Sequence, residues 1–187
     1  MMILLAVLGA MLPIGLYFWR EHKLSTPSLQ WPTLAKILGL QYEAKPPRMS
    51  GKWNGRQVAV EPVADGVTVT AWLSAATSLR VECGLPELVT KRAGIVLQDP
   101  VEPIDRAFRD KLLARCSVKA AGPTVFDAAL QKRLAALPQV DFIGEDTRVV
   151  WNAPVLKDPD GAEALLGALC AVADGLESFP RGGTPLA

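Results

Sequence analysis

The stretch MSGKWNGRQVAVEPVADGVTVTAWL, residues 49–73, alternates apolar and polar side chains around two turn signals. Met49, Gly51 and Trp53 alternate with polar neighbours, Asn54-Gly55 follows, and Val58 and Val60 lie on the return. A period of two puts one set of side chains on a single face of a strand. Asn-Gly between two such runs is the strongest short hairpin signal, because both turn positions need positive φ. After Ala64-Asp65-Gly66, Val67, Val69, Ala71 and Leu73 alternate with Thr68, Thr70 and Trp72. With a fourth strand expected at Leu79 to Cys83, the reading is an antiparallel meander.

Outward from the meander the pattern becomes helical. Thr33 to Leu40 sets Leu34, Ile37 and Leu38 at helical spacing with Gly39 as the stop, and Pro46-Pro47 separates this helix from the strands. Leu85 to Arg106 reads as loop with a short strand at Gly94 to Leu97, and Phe108 to Val118 fits helix or strand. Thr124 with Asp127 resembles a capping box for a helix from Val125 to Leu137. Asp141 to Ile143 and Arg148 to Trp151 predict two strands around Gly144-Glu145-Asp146. Gly161 to Leu176 places Leu165, Leu166, Leu169, Val172 and Leu176 on one helical face, with Asp158 to Gly161 as its start and cap. This order predicts an α+β domain over residues 33–177, with helices packed on one face of an antiparallel sheet. Residues 178–187 read as a flexible tail.

Met1 to Trp19 contains no charged residue. Nineteen residues at 1.5 Å each span roughly 28 Å, close to a bilayer's hydrocarbon core. Tyr17, Phe18 and Trp19 suit the aromatic belt, and Arg20 and Lys23 follow. No basic residue leads and no small-residue cleavage site closes the segment, so it reads as an uncleaved single transmembrane helix rather than a signal peptide. Pro13 frees the carbonyl of Gly9 and predicts a kink there. Ala6 and Ala10 form a small-x-x-x-small pair suited to close helix packing in lipid. The expected organisation is an anchor over 1–23, a juxtamembrane linker over 24–32 that includes Trp31, and then the domain. Arg20 and Lys23 orient the N-terminus outside and the domain in the cytoplasm, at the bacterial inner membrane.

Composition excludes several chemistries. Twenty Lys and Arg face nineteen Asp and Glu among 187 residues, a net charge of +1 that does not suit a nucleic-acid binder. Setting aside Arg20, Glu21 and Lys23 leaves eighteen cations and eighteen carboxylates. His22 is the one histidine, so the domain lacks the commonest acid–base group. Cys83, Cys116 and Cys170 lack metal or redox spacing and read as core thiols in a reducing compartment. Asp99, Glu102 and Asp105 among prolines, and Glu145-Asp146 in a turn, read as solvated acids. Lys91-Arg92 and Lys132-Arg133 read as solvated pairs. No glycine-rich phosphate loop or nucleophile elbow occurs. No catalytic, metal or cofactor-binding residue is expected. Trp72, on the face opposite Val67, Val69 and Ala71, is the residue of the domain most suited to meeting a partner.

Leu34 to Leu176 also resembles a group of uncharacterised bacterial membrane-anchored α+β proteins. The resemblance rests on Leu38-Gly39-Leu40, on G-x-x-x-G-R-x-V over Gly51 to Val58, on Asp105 to Phe108, and on the Leu-rich helix and hairpin over Ala128 to Val150. It implies a compact α+β module and brings no activity. Together these readings predict a non-enzymatic accessory subunit of a larger bacterial membrane complex, photosynthetic or respiratory in kind, held by bilayer and partner subunits. The anchor residues Ala6, Gly9, Ala10, Pro13, Tyr17, Phe18, Trp19, Arg20 and Lys23, with Trp31, are its expected contacts. The alternative is a tethered enzyme or small-ligand module built on carboxylates and Trp, with a pocket of perturbed groups.

Overall fold

The structure, a computed structural model, describes residues 30–92 and 99–181. Among these residues nine strands form one antiparallel sheet: β1 Gln41–Ala44, β2 Pro47–Trp53, β3 Arg56–Val63, β4 Gly66–Trp72, β5 Arg80–Gly84, β6 Asp99–Pro100, β7 Leu113–Cys116, β8 Asp141–Glu145 and β9 Arg148–Ala153. Their order across the sheet is β1-β2-β3-β4-β9-β8-β5-β7-β6. Asn54 (φ 49°) and Gly55 (φ 81°) make the β2–β3 turn in the left-handed region, as the Asn-Gly signal requires.

The meander stops at β4. Instead of pairing with β5, β4 pairs along its length with β9, from Val67 with Ala153 to Trp72 with Arg148. The β8–β9 hairpin is thus inserted between β4 and β5. The connection over residues 73–79 rounds the tip of that hairpin, with Leu73 N–H donating to the Thr147 carbonyl (2.8 Å) and Thr77 N–H to that of Asp146 (2.7 Å). A short polar link looks like a hairpin loop in sequence, but here it spans three strand spacings, roughly 14 Å.

The six α-helices of the described residues are α1 Trp31–Leu38, α2 Pro86–Lys91, α3 Arg106–Lys111, α4 Gly122–Val125, α5 Ala128–Ala136 and α6 Pro159–Glu177. Gly39, left-handed at φ 68°, closes α1. The undecided 108–118 segment is both helix and strand: α3, capped by Asp105 on the Phe108 N–H (2.8 Å), runs directly into β7. The single helix expected over Val125 to Leu137 is two, because Asp127 rather than Thr124 caps α5, on the Leu130 N–H (2.7 Å). The strand expected at Gly94 to Leu97 lies outside the described residues.

One core unites sheet and helices. Val58, Val60, Val67, Val69, Ala71, Val81, Cys83, Phe142, Val149 and Trp151 point from the strands toward Leu166, Leu169, Val172, Ala173 and Leu176 of α6. Gly144 lies where α6 crosses closest; a Cβ there would stand 2.6 Å from Leu176 Cδ1. The tail is held as far as Arg181: Ser78 N–H donates to the Phe179 carbonyl, Arg181 N–H to that of Ala76 (2.7 Å), and Thr77 bridges Pro180.

The expected fold needs a further correction. Among the described residues no helix is long and apolar enough to cross a membrane. Even α6, at nineteen residues, carries Asp160, Glu163, Asp174 and Glu177 and buries its apolar face on the sheet. The helix expected over Met1 to Trp19, with Ala6, Gly9, Ala10, Pro13, Tyr17, Phe18, Trp19, Arg20 and Lys23, lies outside the described residues. The described architecture is therefore an antiparallel sheet with helices and no membrane-spanning element, and the inner-membrane, N-outside placement is withdrawn with it.

Candidate functional site

The β2–β3 hairpin tip leans over the last turns of α6 and leaves a cleft of about 650 Å3 between them. Arg56, the first residue of β3, shares the inward face with Val58 and Val60, yet it sits at the rim where α6 ends. Its guanidinium donates to both Glu177 oxygens (2.8 Å each), to Asp174 Oδ1 (2.6 Å) and to the Trp72 carbonyl (2.9 Å). Glu177 also accepts from Ser74, through its N–H (2.5 Å) and its hydroxyl (2.8 Å). Two carboxylates in the last turn of a helix oppose its dipole, and a fork-shaped cation across them offsets that cost.

These contacts settle the protonation states. The Arg56 hydrogen bond holds the Glu177 carboxyl down at about 2, against the opposing effect of burial. Hydrogen bonding to Glu177 raises the Arg56 guanidinium further above its ordinary range. Cys170, on the cleft wall, is pushed up to about 11 by burial. Burial raises Cys83 and Cys116 as well. In the cleft, then, the carboxylate of Glu177 and the guanidinium stay ionised and mutually bound, and the thiol stays protonated. None is poised to exchange a proton near neutral pH. Among the described residues no group of three His, Cys, Asp or Glu side chains is arranged to hold a metal ion.

The second surface is the outer face of the sheet. Register aligns outward side chains into cross-strand rows. Ser50, Ala59, Thr70, Val150 and Ile143 form one row across β2, β3, β4, β9 and β8. The adjacent row, toward the hairpin tip, is Lys52, Gln57, Trp72, Arg148, Glu145 and Arg80. Trp72, Val150 and Ile143 are half-buried, while Lys52, Gln57 and Arg148 are exposed. At the far end α2 lies on this same face. Its Val89 approaches Gly84, and Arg92 beyond it pairs with Asp141 and, at 3.4 Å, with the buried Glu82.

Trp72 stands where expected, opposite the core residues of β4. Trp31 does not stand on a reachable surface: as the first residue of α1 it is fully buried in the core, so the contact it makes is internal. Arg92 is an ion-pair partner rather than a solvated cation. Asp105 is a helix cap, and Asp146 pairs with Arg181 at 3.1 Å. Sequence reasoning missed the Arg56 cluster. Its signal was an arginine at an inward position of an alternating strand, immediately after the Asn-Gly turn.

No family model matches the chain, and no curated protein matches it. Among solved structures it is similar to the mycobacterial trehalose monomycolate transport factor A, TtfA, with a TM-score of 0.65 and 14% identity. The match covers 84% of this chain and 98% of that one. At that identity the likeness is one of fold.

Proposed function

We propose that the chain is a non-enzymatic accessory subunit of a bacterial membrane-protein complex, docking on integral membrane subunits through the outer sheet face around Trp72. One observation carries the reading: the half-buried side chains of Trp72, Val150 and Ile143, from two adjacent rows, lie on a face that, beyond α2, no described helix covers. An apolar centre with a charged margin is the anatomy of a protein interface. The cleft, in contrast, keeps its ionisable groups in a structural cluster. The structural neighbour is a transport factor, and an assisting role of that kind suits this chain too. A photo-crosslinking residue at Gln57, on the rim of this face, is expected to yield one discrete adduct with an integral membrane protein in native membranes. The same residue at Glu163, on the solvent side of α6, is expected to yield none. Equal labelling from both positions, or no adduct from Gln57, overturns the reading.

A second reading, a small-ligand module, is favoured by the cleft volume, which falls within the range of ligand pockets. Its mark would be a ligand whose binding is lost in Arg56→Lys and kept in Trp72→Ala.

A further inference from the structure

Resting on the docking role proposed above, the ion pairs of the outer face narrow the chemistry of what covers it. Its acids are largely matched. Glu61 pairs with Arg48 at 3.2 Å, Glu82 and Asp141 pair with Arg92, and Glu145 is taken by Arg80. Lys52 and Arg148 are exposed and form no ion pair among the described residues. The row Lys52, Gln57, Trp72, Arg148, Glu145, Arg80 thus holds three cations to one carboxylate, with an indole at its centre. The row beside it is uncharged from Ser50 to Ile143. Of the two flanking rows, only this one holds cations without an ion partner among the described residues. The opposite margin, Arg48, Glu61, Thr68, Asn152 and Asp141, contains carboxylates of its own.

We infer that the partner element covering this face is an acidic amphipathic helix, its apolar side on Trp72, Val150 and Ile143 and its carboxylates on Lys52 and Arg148. The chain itself shows that the face accepts a helix, since α2 is seated at the far end with Val89 buried. Lys52 and Arg148 are three strand spacings apart, roughly 14 Å, which about ten helical residues span. A uniformly anionic membrane surface fits less well. It would bring negative charge against Glu61 and Asp141 as well as against the cations, whereas an amphipathic helix places its acids on one side.

The test uses the full chain and two labelled peptides of about fourteen residues, one Leu/Glu and one Leu/Lys amphipathic helix, followed by fluorescence anisotropy. The Leu/Glu peptide is expected to bind about tenfold more tightly, the effect of a few exposed charge pairs. Lys52→Glu with Arg148→Glu is expected to abolish or reverse that preference. The neutral pair Lys52→Gln with Arg148→Gln should give an intermediate preference, guarding against misfolding of the reversed variant. Equal affinities, no Leu/Glu binding, or a preference retained in the reversed variant overturns the inference. So does binding to phosphatidylglycerol vesicles that is lost in the reversed variant while neither peptide binds. If the Gln57 adduct persists in the reversed variant, the docking role stands and only the acidic-helix chemistry falls.

Discussion

The inner and outer faces of the sheet are built by the same strands at opposite parity, and they follow different rules. Inward, Val58, Ala71, Val149, Phe142 and Trp151 are fully buried. The helix above them comes so close that position 144 admits no side chain without a shift. Outward, the small Ala59 and Thr70 are buried at the middle of the face, and the residues around them are charged, amide or half-buried. Inner positions are fixed by volume and outer positions by charge register. A substitution should therefore cost stability on one face and recognition on the other.

The contrast is broken most directly at the two tryptophans. Trp151→Ala removes a fully buried ring 5.0 Å from that of Phe142, and should destabilise the domain by about 3–5 kcal/mol in chemical denaturation. Trp72→Ala should cost about 1 kcal/mol, because its ring is only half covered. Equal losses would mean that the outer face is as tightly packed as the core.

Arg56 sharpens the comparison, being an inward residue that obeys charge. Arg56→Ala leaves Glu177 with Ser74 alone and should cost about 2 kcal/mol. The sign with pH follows from Glu177, whose folded carboxyl titrates at about 2 against 4.5 for the ordinary group. Its stabilisation is complete above about pH 4.5 and is lost as pH falls toward 2. Glu177→Gln should flatten the stability profile in that window, and an unchanged slope would place the acid sensitivity elsewhere. The smallest effect is expected of Arg148→Glu, within about 0.5 kcal/mol in a thermal melt. A larger loss would show that the outer row is structural.

Local elements were legible where the physical cause is local. The alternation over residues 49–73, the Asn54-Gly55 turn, the Gly39 stop and the Asp158 cap all act within a few residues. The strand order was not legible. Whether β4 meets β5 or β9 depends on two edges far apart in the chain, and Ser74 to Ser78 carries no mark of the longer crossing. Arg56 was visible as a pattern letter but not as a site, since Asp174 and Glu177 reach it only once α6 is seated. Trp72 could be placed on the outer face by parity alone, whereas the burial of Trp31 depends on how α1 docks. The membrane-spanning helix rested on Met1 to Trp19 and has no counterpart among the described helices.

The insertion of β9 between β4 and β8 has a consequence for how the chain matures on the ribosome. By the time Trp72 has emerged, β1 to β4 can zip together, but the free rim of β4 must wait for Arg148 to Ala153. β5 and β7 wait likewise, because β8 joins them to the rest. Before then, two half-sheets with raw backbone edges are expected, a form open to mispairing and to chaperones. The segment from Asp141 to Ala153 is the zipper's last tooth. Closing so long a loop is expected to be the slow step of assembly, and a stopped-flow refolding rate unchanged when the β8–β9 hairpin is destabilised would count against it.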